Sequence, residues 1–166
     1  MNLGINFFTQ FAQTQALEHP LAQMIQLTSM VMEGVFERFP RLRVAYLEAG
    51  AGWVPYIMDR LDRSYEVWAG AKYREFSEWL KKRPSEYVAS GRLYFSCEGG
   101  ERSLGTAIDR IGHQTLLFAS DFPHETNMER CRHEIEELLE RSDLSDEAKQ
   151  GIFHDNILRF YTRQGS

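Results

Sequence analysis

Apolar positions recur near a 3.6-residue period in the stretch after Pro20. Leu21, Met24, Ile25, Thr28, Met32, Val35 and Phe36 fall on one face of LAQMIQLTSMVMEGVFERF. That spacing predicts an amphipathic helix with Pro20 in its first turn and Pro40 as its stop. The preceding 1–18 are polar and glutamine-rich, and read as an entry loop or weak helix. Three short, largely apolar runs then alternate with helical patterns. They are Arg43-Val-Ala-Tyr-Leu-Glu48, Arg92-Leu-Tyr-Phe-Ser-Cys97 and Thr115-Leu-Leu-Phe-Ala-Ser120. Runs of this length and composition predict buried strands. Between and after them, helices are expected at Trp53–Tyr65, at about 72–82, at Pro84, at Leu104–Ile111 closed by Gly112, and at about 127–140 and 145–162. Ser145 is the expected N-cap of the last. Strands alternating with helices imply βα units and a parallel sheet, hence an α/β fold. With no internal repeat or low-complexity tract, 1–166 reads as a single domain.

Composition narrows the function more by exclusion than by assignment. The 166 residues carry a formal charge of −5, which argues against nucleic acid as the main partner. No run approaches the ~18–20 apolar residues of a membrane helix, so no membrane partner is expected. The first ten residues lack a basic segment and a small-residue cleavage site, and Cys97 and Cys131 form no CxxC; a reduced, cytoplasmic setting is expected.

In parallel α/β folds, ligands collect at the carboxyl ends of the strands. Three loops fall there: Glu48-Ala-Gly-Ala-Gly-Trp53, Glu98-Gly-Gly-Glu101 and Asp121-Phe-Pro-His124. Asp121 directly follows the most apolar run. A carboxylate in that place either binds a divalent metal or holds a proton near a reacting atom, or else caps the following helix. Glu48 fits a metal ligand, a general base, a hydrogen-bond anchor or a solvated loop acid. Glu98 and Glu101 read mainly as solvated acids, one of them available to an arginine or a polar substrate. His124 is a ligand, an acid/base, a partner of Asp121 or a loop imidazole bonded to backbone. The tryptophans read most simply as core or interface residues. The sequence has no HxH, HExxH, GxSxG, P-loop or complete GxGxxG pattern.

Three stretches taken together resemble the amidohydrolase-related family of metal-dependent hydrolases and non-oxidative decarboxylases of the aminocarboxymuconate-semialdehyde decarboxylase type. They are GVFERFPRLRVAYLEAGAGWVPYIMDRLD at 34–62, LLFASDFPH at 116–124 and IFHDNILRFY at 152–161. The resemblance implies part of a (β/α)8 TIM barrel, with the three apolar runs as about strands six to eight. A closed barrel takes at least ~200 residues, more than this chain has. The chain is therefore expected to be the C-terminal part of such an enzyme, a fragment or a subunit.

By the same resemblance, Asp121 is the metal ligand and a catalytic residue, and Glu48 is catalytic, standing where many relatives carry a histidine. His124, Glu98 and Trp53 are the expected substrate contacts. The implied cofactor is one divalent ion, zinc or manganese. The HxH or ExH pair after strand one and the histidine after strand five have no counterpart here, which makes loss of the metal from this chain one expectation. The implied reaction is hydrolysis or non-oxidative decarboxylation of a small organic acid or cyclic compound. The alternative is a non-catalytic remnant or interaction module. Either way, homo-oligomerisation or pairing with a missing N-terminal half is expected.

Overall fold

A computed structural model describes residues 5–68, 79–124 and 127–162. The chain divides into two compact units, one of 1–42 with 56–88 and the other of 43–55 with 89–166.

In the first unit, helix α1 (Phe11–Met32) is longer than the sequence pattern predicts, and it corrects three readings. Residues 11–18 are helix rather than entry segment, Pro20 lies well inside the helix, and the helix ends before Pro40. Proline removes one intrahelical bond and crowds the preceding turn, but the flanking Ala, Gln and Leu residues are good helix formers and carry the helix across it. Gln13 accepts a side-chain bond from the Gln10 amide at 3.2 Å, which helps fix the start. The break comes at Gly34, whose φ of 69° is left-handed. A Cβ there would also lie 2.8 Å from the Trp79 carbonyl oxygen, so only glycine fits. A single turn, α2 (Val35–Arg38), follows. Helix α3 (Val54–Trp68) starts in the second unit and contributes buried Met58 and Leu61 to the first.

The short helix α4 (Pro84–Val88) buries Tyr87, whose hydroxyl accepts from the Lys81 and Lys82 amides at 2.8 and 3.1 Å and donates to Glu37. Of the helix expected at about 72–82, residues 72–78 lie outside the described residues, and 79–82 are non-helical.

The second unit is built on a parallel sheet of three strands, β1 (Val44–Tyr46), β2 (Leu93–Cys97) and β3 (Leu116–Phe118), in the order β1-β2-β3. Tyr46 pairs with Phe95, and Cys97 with Phe118. All five residues of β2 are buried, as a central parallel strand requires. The outer strands are shorter than their apolar runs. Glu48, the last residue of the first run, has a left-handed φ of 67° and cannot continue a ladder; Asp121, with φ of 52°, comes directly after the last run.

Helix α5 (Leu104–Ile111) follows its expected stripe, and α6 (Met128–Glu140) forms within its expected bounds, capped by Asn127. The single helix expected at 145–162 is composite: α7 (Asp146–Gln150), a π-turn at Gly151–Asp155 and α8 (Asn156–Tyr161). Ser145 caps it as expected, accepting from the Ala148 amide at 3.1 Å. Buried Asn156 sits at the end of the wide turn. It donates to the carbonyls of His113 and Leu116 at 2.7 and 2.8 Å, tying α8 to the start of β3.

Candidate active site at the strand ends

Because the strands are parallel and in register, their carboxyl ends lie along one edge of the sheet. Glu48 follows β1 closely, Glu98 directly succeeds Cys97 at the end of β2, and Asp121 follows β3. Among the described residues, Glu48 and Asp121 are the two non-glycine positions with positive φ. Strained backbone of this kind costs of order 1–3 kcal/mol and tends to gather at functional sites.

Asp121 and His124 are brought together. The Asp121 carbonyl accepts the His124 amide at 2.9 Å, closing a turn, and His124 Nδ1 lies 3.2 Å from Asp121 Oδ1. The imidazole is exposed and the carboxylate half-buried. The peptide between Phe122 and Pro123 is cis. The pair offers a carboxylate oriented by an imidazole, an arrangement that can hold and pass a proton.

Glu48 is exposed, and its backbone is held by the neighbouring strand: the Glu48 amide donates to Ser96 Oγ at 2.9 Å. Ser96 is a polar residue buried within the apolar β2 run. Its place in that run is the one sequence signal that could have identified it.

Glu101 emerges as more than a solvated acid. Its Oε1 accepts from the Ala51 amide at 2.9 Å and from the Gly52 amide. Burial dominates its electrostatics and raises its carboxyl above the ordinary value, against the lowering effect of those amides.

Glu98 is exposed, and its charge adds to the raising of Glu134 on α6, where burial is the larger cause. Burial, followed by the charge of Glu101, pushes the Cys97 thiol up to about 12, which leaves it un-ionised at neutral pH and a poor nucleophile. Trp53 is buried; its indole N–H donates to the Gly50 carbonyl at 2.9 Å, and its ring meets Tyr46 and Phe95 edge-on. The structure thus gives Trp53 a packing partner on each strand it touches.

Among the described residues, no group of three or more His, Cys, Asp or Glu side chains is placed to share one metal ion. Asp121 and His124 provide one carboxylate oxygen and one ring nitrogen. A divalent ion takes about four to six ligands, so these residues do not by themselves form a metal centre.

The amidohydrolase family model matches residues 13–163, nearly the whole chain. The chain belongs to the amidohydrolase family. Solved structures share the fold. One is an amidohydrolase from Mycobacterium avium subsp. paratuberculosis, with a TM-score of 0.73 and 22% identity over 92% of this chain and 36% of its own. Another is 5-carboxyvanillate decarboxylase LigW from Sphingomonas paucimobilis, with a TM-score of 0.60 and 24% identity over 81% of this chain and 38% of its own. A third is a dihydroxybenzoic acid decarboxylase from a Polaromonas species, crystallised with manganese and the inhibitor 2-nitroresorcinol; its TM-score is 0.62, with 22% identity over 86% of this chain and 40% of its own. The chain therefore spans well under half the length of each of these structures.

Proposed function

We propose that this chain contributes the strand-end acids of a metal-dependent enzyme that decarboxylates a small carboxylic acid, with hydrolysis as the second reading. The observation that carries the proposal is the left-handed backbone at both Glu48 and Asp121, on one edge of a parallel sheet. The decarboxylases among the similar structures support the choice of reaction, and the manganese bound to one of them supports a divalent cofactor. In this reading the three strands correspond to about strands six to eight of a barrel.

In non-oxidative decarboxylation a C–C bond breaks, carbon dioxide leaves, and the carbon takes up one proton. Asp121, with His124 at its carboxylate, is the proposed carrier of that proton, and Glu48 the proposed acid facing the substrate. His124 and Glu98 are further proposed contacts at the same edge. Trp53 enters only through the loop it packs beneath. Asp121 is also the proposed metal ligand. The remaining donors would come from outside the described residues, such as a second copy or a complementary segment.

The test pairs elemental analysis with an assay. Near-stoichiometric zinc or manganese in the purified protein, lost in Asp121→Ala, is expected. So is carbon dioxide release from a panel of small hydroxylated benzoic acids, reduced by roughly 100-fold or more in Asp121→Asn without a change in melting. Activity that survives Asp121→Asn sinks the assignment. Absence of metal from both proteins, also after co-expression with a complementary segment, favours a non-catalytic interaction module.

A further inference from the structure

The geometry points to a positioning relay, Asp143–Arg141–Glu101, that fixes the backbone of the loop leading out of Glu48. The relay begins just beyond α6. Asp143 accepts from Arg141 Nε at 3.0 Å and Nη2 at 2.6 Å, a two-point pair that orients the guanidinium. The same guanidinium donates from Nη1 to the carbonyls of Gly99 at 3.1 Å and Glu101 at 2.5 Å. Those bonds hold the loop after β2 at the two residues that determine where the Glu101 side chain leaves the backbone.

Close packing adds to the hold. A Cβ on Gly99 would fall 2.6 Å from the Glu134 carbonyl oxygen and 2.8 Å from Glu137 Cβ, so this loop lies directly against α6. Glu101 then reaches across to the loop after β1. One oxygen collects the successive amides of Ala51 and Gly52, while the other is buried with no donor among the described residues. Two adjacent amides on a single carboxylate oxygen specify the turn they belong to. With the Glu48 amide on Ser96, the loop is anchored at both of its ends, and the left-handed Glu48 is held between the two anchors.

Local sequence does not supply this constraint. Glycines at 50 and 52 leave the segment free to adopt many backbone states, so an external clamp is needed to select one. Glu101 is therefore a positioning residue, acting on substrate only through Glu48. Its importance for chemistry rests on the role proposed for Glu48, but its test requires no activity.

Backbone amide hydrogen exchange is compared in the wild type, Glu101→Ala and Glu101→Gln, with the Phe95 amide in β2 as the internal control. In Glu101→Ala, exchange at Ala51 and Gly52 is expected to quicken by at least about tenfold, with Phe95 unchanged. Glu101→Gln keeps a carbonyl oxygen in the Oε1 position and is expected to restore protection, which a general loss of stability would not do. Unchanged exchange at Ala51 and Gly52 in Glu101→Ala overturns the relay, as does acceleration that includes Phe95. If Glu101→Ala does not fold, Glu101→Gln decides: protected loop amides support the relay, and exposed ones in a folded protein overturn it. Should Glu48 prove dispensable for activity, the catalytic reading fails while the exchange result stands on its own.

Discussion

Glu48 and Asp121 keep backbones that most side chains avoid, at φ of 67° and 52°. Left-handed backbone costs a non-glycine residue roughly 1–2 kcal/mol, and more when the side chain branches at Cβ. Two substitutions at Glu48 separate this strain from whatever the carboxylate itself contributes, because both remove it. Glu48→Gly relieves the strain, although the freer unfolded chain returns about 0.4–1 kcal/mol of that gain. Glu48→Val retains the strain and adds branching. The valine variant should be less stable than the glycine variant by about 1–2 kcal/mol in chemical denaturation. Equal stabilities would show that the backbone there relaxes freely and that the left-handed state is not imposed by the fold. On the role proposed for Glu48, the glycine variant loses activity despite its relaxed backbone, because it lacks the carboxylate.

At the scale of elements, periodicity read the helices well where the burying neighbour lies close in sequence. Leu104, Ala107 and Ile111 form the buried stripe of α5, and the capping residue Ser145 sits where its type predicts. The strand-end acids were legible for a similar reason, because a parallel strand hands its next residues to the functional edge. What periodicity could not supply were features set by distant partners. The break at Gly34 depends on the Trp79 backbone, and the hold on the Glu48 loop depends on Ser96 and Glu101, which are 48 and 50 positions away from the amides they bind. Arg141 and Asp143 gave no sign in the sequence of the carbonyls they hold.

Asn156 is the clearest case, a polar residue directly after His154 and Asp155 whose burial makes sense only once the carbonyls of His113 and Leu116 are beside it. Its Oδ1 also accepts from Arg159 Nη1 at 3.1 Å. Asn156→Ala removes both side-chain bonds, although the His113 carbonyl keeps the Leu116 amide, and should lower stability by about 1–3 kcal/mol. Asn156→Asp keeps the shape but offers the carbonyls an acceptor instead of a donor, so it should be at least as damaging. Denaturation with an unchanged slope measures both. An aspartate variant as stable as wild type would mean that the amide bonds do not hold α8 in place.

At the scale of the whole molecule, both units leave large apolar side chains of the described residues exposed to water. In the first unit, α1 buries Leu27, Val31 and Met32 near its C-terminal end, while Phe11 at its start is 73% exposed. In the second, α8 leaves Leu158 and Tyr161 exposed at 54% and 75%. The sheet raises the same question in backbone terms. Among the described residues β1 and β3 each pair with β2 alone, so each has an outer edge with no strand beside it. Parallel sheets occur almost only with their faces covered, and an open edge is a template for another chain. Both observations make self-association, or pairing with a complementary segment, the expectation to test. Sedimentation of the purified chain should give a mass that is a multiple of 19.4 kDa and falls on dilution. A monomer at every concentration would count against association through these surfaces. The result also bears on the metal. The described residues of one chain supply Asp121 and His124 but no third donor, so an associated form that binds zinc or manganese where the diluted monomer does not would locate the missing ligands on the partner copy. An associated form without metal would instead leave those donors to a complementary segment, and co-expression with such a segment would be the way to restore the site.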